Sequence, residues 1–378
     1  MIVPPATLGM LGGGQLGRYA LISARLAGYR TIVLDPDPAA PAGAVADEHL
    51  VAPFDDPAAV ATMAARCALV TTEFENPPAS TLDRLAAAGV VVAPPPAAVA
   101  VCQDRIAEKA FLTSLGVLVA SYAVVVAEPA DDAPLPVASP AILKTARCGY
   151  DGKGQRAVER AADVAPAWRD LGSVPCVLEQ RVALDVEVSV VVARSADGRA
   201  ASFAVAENHH VDGILDLTVV PARVVPALAD QAVELATRVV EALEYVGVLA
   251  VEMFVSDGEL LVNELAPRPH NSGHWTLDAA TTSQFDQQVR AVCGLALGPT
   301  AMTAPAAAMV NLLGDRWRSG EPDWTVPLAD PHARLHLYGK AEARPGRKMG
   351  HLTVLADDPD DAARRALELR DALVAGTG

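Results

Sequence analysis

The sequence predicts an α/β chain that passes into α+β architecture, and three stretches of its 378 residues carry that prediction. Residues 6–17, ATLGMLGGGQLG, read as a short apolar strand entering Gly12-x-Gly14-x-x-Gly17 and an Ala/Leu-rich helix, the start of a Rossmann-like βαβ unit. Residues 141–155, AILKTARCGYDGKGQ, deliver Lys144 from a strand into a Gly-rich loop, and residues 251–264 read as a buried hairpin that carries acids. Beyond Gly298-Pro299 the composition turns Ala/Pro-rich and short strands alternate. With the Pro94-Pro95-Pro96 run as a second punctuation mark, the expected domains are 1–97, 98–298 and 299–378, the last small and β-rich.

Composition narrows the function. Hydrophobic residues make up 51% and aromatics 4%, which describes an Ala/Val-rich globular protein. No apolar run reaches the roughly 18 residues of a membrane span, and no basic-then-apolar leader opens the chain, so a cytoplasmic location is expected. A net charge of −16 repels a phosphate backbone and argues against general nucleic-acid binding, while leaving room for a local basic pocket. The five cysteines are scattered and lack metal-ligand spacing.

In chain order, the Gly12–Gly17 loop has glycines where backbone N–H groups approach a phosphate, and Asp35 ends the second strand as in a dinucleotide-binding fingerprint. The same loop can equally close a tight turn. Glu73-Phe74-Glu75-Asn76-Pro77 follows a strand at 68–72, where open α/β sheets bind ligands. A helix then carries Asp104, Arg105 and Lys109. In 144–155 a lysine and Gly149, Gly152 and Gly154 suit a loop that folds over polyphosphate, with spacing unlike a Walker P-loop. Glu179-Gln180 at a strand end suits an adenine edge, and Glu187 suits ribose hydroxyls.

In the hairpin, Asp257-Gly258 marks the turn between Val251–Val255 and Leu260–Glu264. A two-residue turn sets Glu252 opposite Asn263; a three-residue loop sets it opposite Glu264. Either brings two carboxylates together in apolar surroundings, where a cation relieves their repulsion, and an all-oxygen set suits Mg²⁺. Arg268, His270, Asn271, His274 and Trp275 follow in a Pro/Gly-broken loop. Near the C-terminus, Lys340, Arg344, Arg347 and Lys348 cluster in a turn-rich stretch suited to a phosphate monoester.

Together these motifs resemble the ATP-grasp enzymes, and within them the N5-carboxyaminoimidazole ribonucleotide synthases of purine biosynthesis. The resemblance spans GGGQLGR at 12–18, EFENP at 73–77, QDR at 103–105, KT..CGYDGKGQ at 144–155, ENHH.DGI at 207–214, NELAPRPHNSGHW at 263–275 and YGKAEARPGRKMGH at 338–351. It implies a central ATP-grasp domain of two α+β lobes with ATP between them. Arg105 and Lys144 would meet the phosphates, Glu179 and Gln180 the adenine, and Glu187 the ribose. Gly149, Tyr150, Asp151, Gly152, Lys153, Gly154 and Gln155 would form the lid, with Arg181, Val182, His210, Asn263 and Glu264 completing the nucleotide site. Glu252 and Glu264 would hold Mg²⁺ or Mn²⁺. Gly14, Gln15, Leu16, Glu73, His270 and Asn271 would bind 5-aminoimidazole ribonucleotide, with Lys340, Arg344 and Arg347 on its phosphate. Asp151, Lys153, Arg268 and Lys340 would serve the carboxylation, bicarbonate being the other substrate; a homodimer is implied too. Lys153 replaces a common Arg, and Arg181 a common apolar residue. The competing expectations are another ATP-grasp ligase, such as formate-dependent glycinamide ribonucleotide formyltransferase, an NAD-dependent dehydrogenase, or a non-catalytic nucleotide binder.

Overall fold

The computed structural model describes residues 1–128, 134–149 and 152–373. Strands β1 (Thr7–Leu11), β2 (Arg30–Leu34), β3 (Glu48–Leu50), β4 (Leu69–Thr72) and β5 (Val91–Val92) form a parallel sheet in the order β3-β2-β1-β4-β5. Leu11, Val33, Leu34 and Val70 are wholly buried, as strands covered on both faces require. The order reverses between β1 and β4, so the crevice at their C-terminal ends is where such a sheet binds ligands; the Gly12–Gly17 loop and Glu73 lie there.

A second sheet is antiparallel, with β6 (Tyr122–Val125), β7 (Ala141–Thr145), β8 (Gln155–Val158) and β9 (Cys176–Gln180) in the order β6-β9-β7-β8. In β7 the strand period turns Ala141, Leu143 and Thr145 inward against Trp168 and its neighbours, leaving Ile142 and Lys144 on the opposite face.

The largest sheet contains β10 (Val186–Arg194), β11 (Ala200–Ser202), β12 (Ala206–Val211), β13 (Ile214–Val220), β14 (Gly247–Ser256), β15 (Glu259–Ala266), β16 (Ala306–Leu313), β17 (Ala333–Leu337) and β18 (Lys348–Ala356). Its order is β15-β14-β10-β12-β13-β16-β18-β17, with β11 on β10. The C-terminal strands thus continue the central sheet: β16 pairs with β13 over Leu217–Val220 and Val310–Ala307. Both strands are apolar on that edge, with Val219, Val220, Ala308 and Val310 fully buried, and pairing removes an exposed edge.

Where the three regions meet, Tyr19 packs with His274, His336, Tyr338 and His351. His336 bonds Asp278 at 2.9 Å, and Tyr338 Oη meets His351 Nδ1 at 2.9 Å. Asp278, His336 and His351 offer metal-ligand atoms within 4.8 Å of one another. The His336 and His351 rings, however, stack with centroids 4.5 Å apart and planes at 14°. Their lone pairs therefore lie in two separate, nearly parallel planes and do not converge on one point, so the cluster reads as packing.

Burial depresses the His274 pKa to about 3 and also holds His351 well below its ordinary value. A histidine that is neutral when folded and protonates more readily when unfolded makes stability fall as pH drops below the unfolded value near 6.5. From pH 7 to 5, His274 alone is expected to remove about 2 kcal/mol, observable as a lower Tm at pH 5 than at pH 7. A flat Tm across that range would contradict it.

Candidate active site

The hairpin resolves the register question in an unforeseen way. Its turn has two residues: Ser256 pairs with Glu259, and Asp257 and Gly258 have φ of 49° and 76°. That register continues through Met253↔Val262 and would set Glu252 against Asn263. A β-bulge then leaves Asn263 unopposed, and Glu252 pairs with Glu264. Neither simple register holds, yet the carboxylates end face to face.

Their surroundings orient both and keep Glu264 charged. Arg105 Nη2 donates to Glu264 Oε2 at 2.8 Å. Burial pushes the Glu264 carboxyl upward, but Arg105 overrides it and holds the pKa at about 2. His270 Nε2 lies 2.8 Å from Glu252 Oε1, and its Nδ1 meets Ser272 Oγ at 2.8 Å. That hydroxyl bonds Ser189, which receives Asn208 Nδ2, whose Oδ1 accepts from Thr218. The chain of buried bonds fixes the His270 ring and hence Glu252. The Asn263 side-chain oxygen is buried without a partner. Two carboxylates and an orphaned amide oxygen fit a hard divalent cation.

Two cavities of about 270 Å³ each meet at these carboxylates. Glu252, Glu264, His210 and Gly213 line both. The first gathers most of the nucleotide set: Arg105, Lys144, Gly152, Lys153, Gln155, Glu179, Gln180, Arg181, Val182, Glu187 and Asn263. Lys144 Nζ lies 3.0 Å from Glu179 Oε2 and Lys109 Nζ 3.6 Å from it. Despite burial, these lysines keep the Glu179 carboxyl below its usual range. One Glu179 oxygen is thus committed to lysine, while Oε1 is buried and without a partner. Glu187 Oε2 meets His210 Nδ1 at 2.5 Å. Gly149 lines the second cavity rather than the first, and Gly154 packs against Thr145. Tyr150 and Asp151 lie outside the described residues.

The second cavity brings together Gln15, Leu16, Glu73, Arg268, His270 and Asn271, and both polar atoms of the Asn271 side chain are buried and unpartnered. Arg268 is ion-paired with Glu75. The Gly-rich loop departs from its phosphate-cradle reading. Glu73 accepts from Gly14 N at 2.8 Å and Gly17 N at 3.1 Å, and Asp35 accepts from Gly13 N at 2.6 Å. Carboxylates already occupy these amides and would repel a phosphate. A Cβ on Gly14 would stand 2.6 Å from Glu73 Oε1, so glycine is required there by the inserted acid. Asp35 therefore serves its own loop, and the dinucleotide fingerprint fails.

The cationic stretch is only partly placed. Lys348 lines the second cavity. Lys340 Nζ donates to Lys348 O at 2.6 Å, Arg344 meets Glu342 at 3.2 Å, and Arg347 donates to Glu342 O at 2.9 Å; none of the three lines that cavity.

Sequence reading missed Ile142, Leu184, Gly213 and Phe254 in the first cavity and Leu215 in the second, whose Phe74, Glu75 and Lys348 it had named only within the Glu73–Pro77 stretch and the cationic cluster. Two had a usable signal: Ile142 shares a strand face with Lys144, and Phe254 with Glu252.

Comparisons with known proteins agree with this geometry. Family profiles described as the ribonucleotide synthetase preATP-grasp domain, the ATP-grasp domain and the phosphoribosylaminoimidazole carboxylase C-terminal domain match residues 5–103, 110–285 and 307–365. The chain is 45% identical over 356 residues to N5-carboxyaminoimidazole ribonucleotide synthase of Brucella melitensis, covering 93% of this chain and 96% of that one. For the Bacillus subtilis enzyme of that name the identity is 43% over 365 residues, covering 96% and 94%. The solved synthetase from Thermus thermophilus superposes with TM-score 0.87 at 41% identity, covering 98% and 99%. A solved ADP complex of a synthetase of the same name gives TM-score 0.91 at 41% identity, covering 98% and 97%. These similarities do not favour the formyltransferase alternative. With ATP-grasp, preATP-grasp and C-terminal regions all matched and two cavities joined at a carboxylate pair, the chain belongs to the N5-carboxyaminoimidazole ribonucleotide synthases, a family of ATP-grasp ligases.

Proposed function

We propose that this protein carboxylates 5-aminoimidazole ribonucleotide to N5-carboxyaminoimidazole ribonucleotide, using ATP and bicarbonate, in purine biosynthesis. One observation carries the reading: a cavity suited to a nucleotide and a cavity suited to a second anion share Glu252 and Glu264. A phosphoryl group passing between two substrates needs such a common wall.

In this reading adenine lies between Ile142 and Phe254, its amine toward Glu179 Oε1, while Gln180, Arg181 and Val182 border the base and Glu187 meets the ribose. Arg105, Lys144 and Lys153 neutralise the phosphates. Glu252 and Glu264 would hold Mg²⁺, whose charge would offset that of the phosphoryl oxygens. A bicarbonate oxygen attacks the γ-phosphorus, the bond to the bridging oxygen breaks, and ADP and carboxyphosphate result. Carboxyphosphate then releases CO₂ and phosphate, the exocyclic amine attacks CO₂, and its proton passes to a base. Arg268 and Lys153 are proposed to hold carboxyphosphate, and the Asp151 carboxylate to take that proton. The 149–155 loop excludes water, which would otherwise consume the anhydride. Glu73, His270 and Asn271 orient the ribonucleotide beside Gln15 and Leu16. Lys340, Arg347 and Arg344 are proposed for its phosphate, with Lys348. A cytoplasmic homodimer belongs to the same reading, with dimer mass in analytical ultracentrifugation as its check.

The test is phosphate release from Mg·ATP with and without bicarbonate and the ribonucleotide. Release that requires the ribonucleotide, with labelled bicarbonate carbon entering it, supports the proposal. Release that instead requires formate and glycinamide ribonucleotide overturns it. Arg347→Ala is expected to raise the KM for the ribonucleotide about tenfold with kcat nearly unchanged, as one charge-assisted bond to phosphate is lost. An unchanged KM removes Arg347 from that site.

A further inference from the structure

We infer that Glu108 and Lys109, consecutive residues of the Arg105–Ser114 helix, are positioning residues that fix the Glu264 carboxylate by gripping the peptide groups on either side of it. The inference rests on the reading of Glu264 as a metal ligand.

Strand β15 is the outer strand of its sheet, so its backbone groups that face away from β14 need partners elsewhere. At the bulge, that need falls beside Glu264. Lys109 Nζ donates to Asn263 O at 2.9 Å, and Leu265 N donates to Glu108 Oε2 at 2.9 Å. Arg105, one turn earlier on the same helix face, holds the Glu264 carboxylate itself. Three side chains of one helical turn therefore hold Glu264 by its carboxylate and by both flanking peptides. Its height above β14, and so its separation from Glu252, follows from the helix.

Neither residue lines either of the two cavities that meet at the carboxylate pair, and Glu108 borders only a small pocket of about 20 Å³ behind Arg105 and Glu264. Lys109 is 0% exposed and Glu108 1%. Apolar side chains would bury more favourably at such positions, because charges there must be desolvated. Glu108 even leaves its Oε1 without a partner. Burial pushes the Glu108 carboxyl upward and the Lys109 ammonium downward. Beside the pairing of Lys109 with Glu179, what their polarity provides is the hold on the bulge, the one irregularity in the hairpin register, where Glu264 meets Glu252. Partners that orient a metal ligand typically change metal affinity by about 10- to 100-fold when removed.

The test measures Mn²⁺ binding to the ADP-loaded protein by electron paramagnetic resonance, alongside ADP binding without metal. Glu264→Gln, Lys109→Met, Glu108→Leu and the conservative Glu108→Gln are compared. The expected result is a Mn²⁺ Kd raised about tenfold or more in Lys109→Met and Glu108→Leu. Metal-free ADP affinity should stay within about twofold in Glu108→Leu, the variant that leaves the Lys109–Glu179 pair intact, and Glu108→Gln, which keeps an acceptor for Leu265 N, should recover wild-type Mn²⁺ binding. An unaltered Mn²⁺ Kd in Glu264→Gln overturns the metal-ligand reading. A weakened Glu264→Gln beside unaltered Lys109→Met and Glu108→Leu overturns the positioning role alone. Equal losses of metal and metal-free ADP binding, or failure of both disruptive variants to fold, assign the pair to fold stability and overturn it as well.

Discussion

Glu264→Gln is expected to lower kcat for ribonucleotide-dependent ADP formation by about 10³-fold or more, with the protein still folded. The amide keeps the shape of the side chain and removes its charge. The metal then loses one of two carboxylates, and the phosphoryl group loses the counter-charge fixed where negative charge accumulates. Stabilisation of that kind amounts to several kcal/mol, and each 1.36 kcal/mol is tenfold in rate. Arg105 adds to the effect, because its guanidinium lies 2.8 Å from the altered oxygen and would face a neutral group in a mostly buried site. Steady-state kinetics over a wide Mg²⁺ range, with a thermal melt of the same preparation, provide the check. Activity within threefold of wild type at ordinary Mg²⁺ would remove Glu264 from the metal site. Recovery at high Mg²⁺ would mean that Glu264 sets affinity for the metal rather than its placement in the transition state.

The sequence reading identified Glu252 and Glu264 as a pair but could not determine how they come together, and the reason is physical. Strand period and turn residues are local, so Asp257-Gly258 correctly marks a two-residue turn. The bulge that follows is stabilised from outside the hairpin, by Glu108 and Lys109 on a helix far earlier in the chain, with separations of 157 and 154 residues. No window of the sequence contains both halves. The Gly12–Gly17 loop failed for a similar reason. Its glycines are visible locally, but the acids that fill its amides arrive from Asp35 and Glu73 at the ends of other strands. The nucleotide cavity was more legible, since Lys144 and Glu179 lie on adjacent strands and on the one face that the two-residue period gives them. The central sheet's continuation into the C-terminal strands was hidden because β13 and β16 are both plain apolar strands, and nothing in their residues specifies which edge they share.

Lys144→Met is expected to lower kcat/KM for ATP by about 10² to 10³-fold, or about 3–4 kcal/mol, while leaving ribonucleotide affinity within twofold. Lys144 leaves β7 on the cavity face and is 13% exposed, so its ammonium is partly desolvated before any nucleotide arrives. In such a site a cation acts on phosphate through low effective dielectric, and its removal is felt far more than at a surface. Methionine fills a similar volume, which separates loss of charge from loss of packing. The neighbouring Glu179 would keep Lys109 at 3.6 Å, so the local fold has a second counter-ion. Lys144→Arg retains charge on a longer, planar head and should recover part of the rate. Calorimetric titration with the ribonucleotide completes the test, because the second cavity does not include Lys144. A variant that lost ribonucleotide affinity and kept its KM for ATP would exchange the two cavities, placing the nucleotide beside Gln15 and Glu73. The Glu73 carboxylate, 2.8 and 3.1 Å from the loop amides, makes that exchange electrostatically costly, since a polyphosphate there would meet Glu73 as well as Arg268 and Lys348.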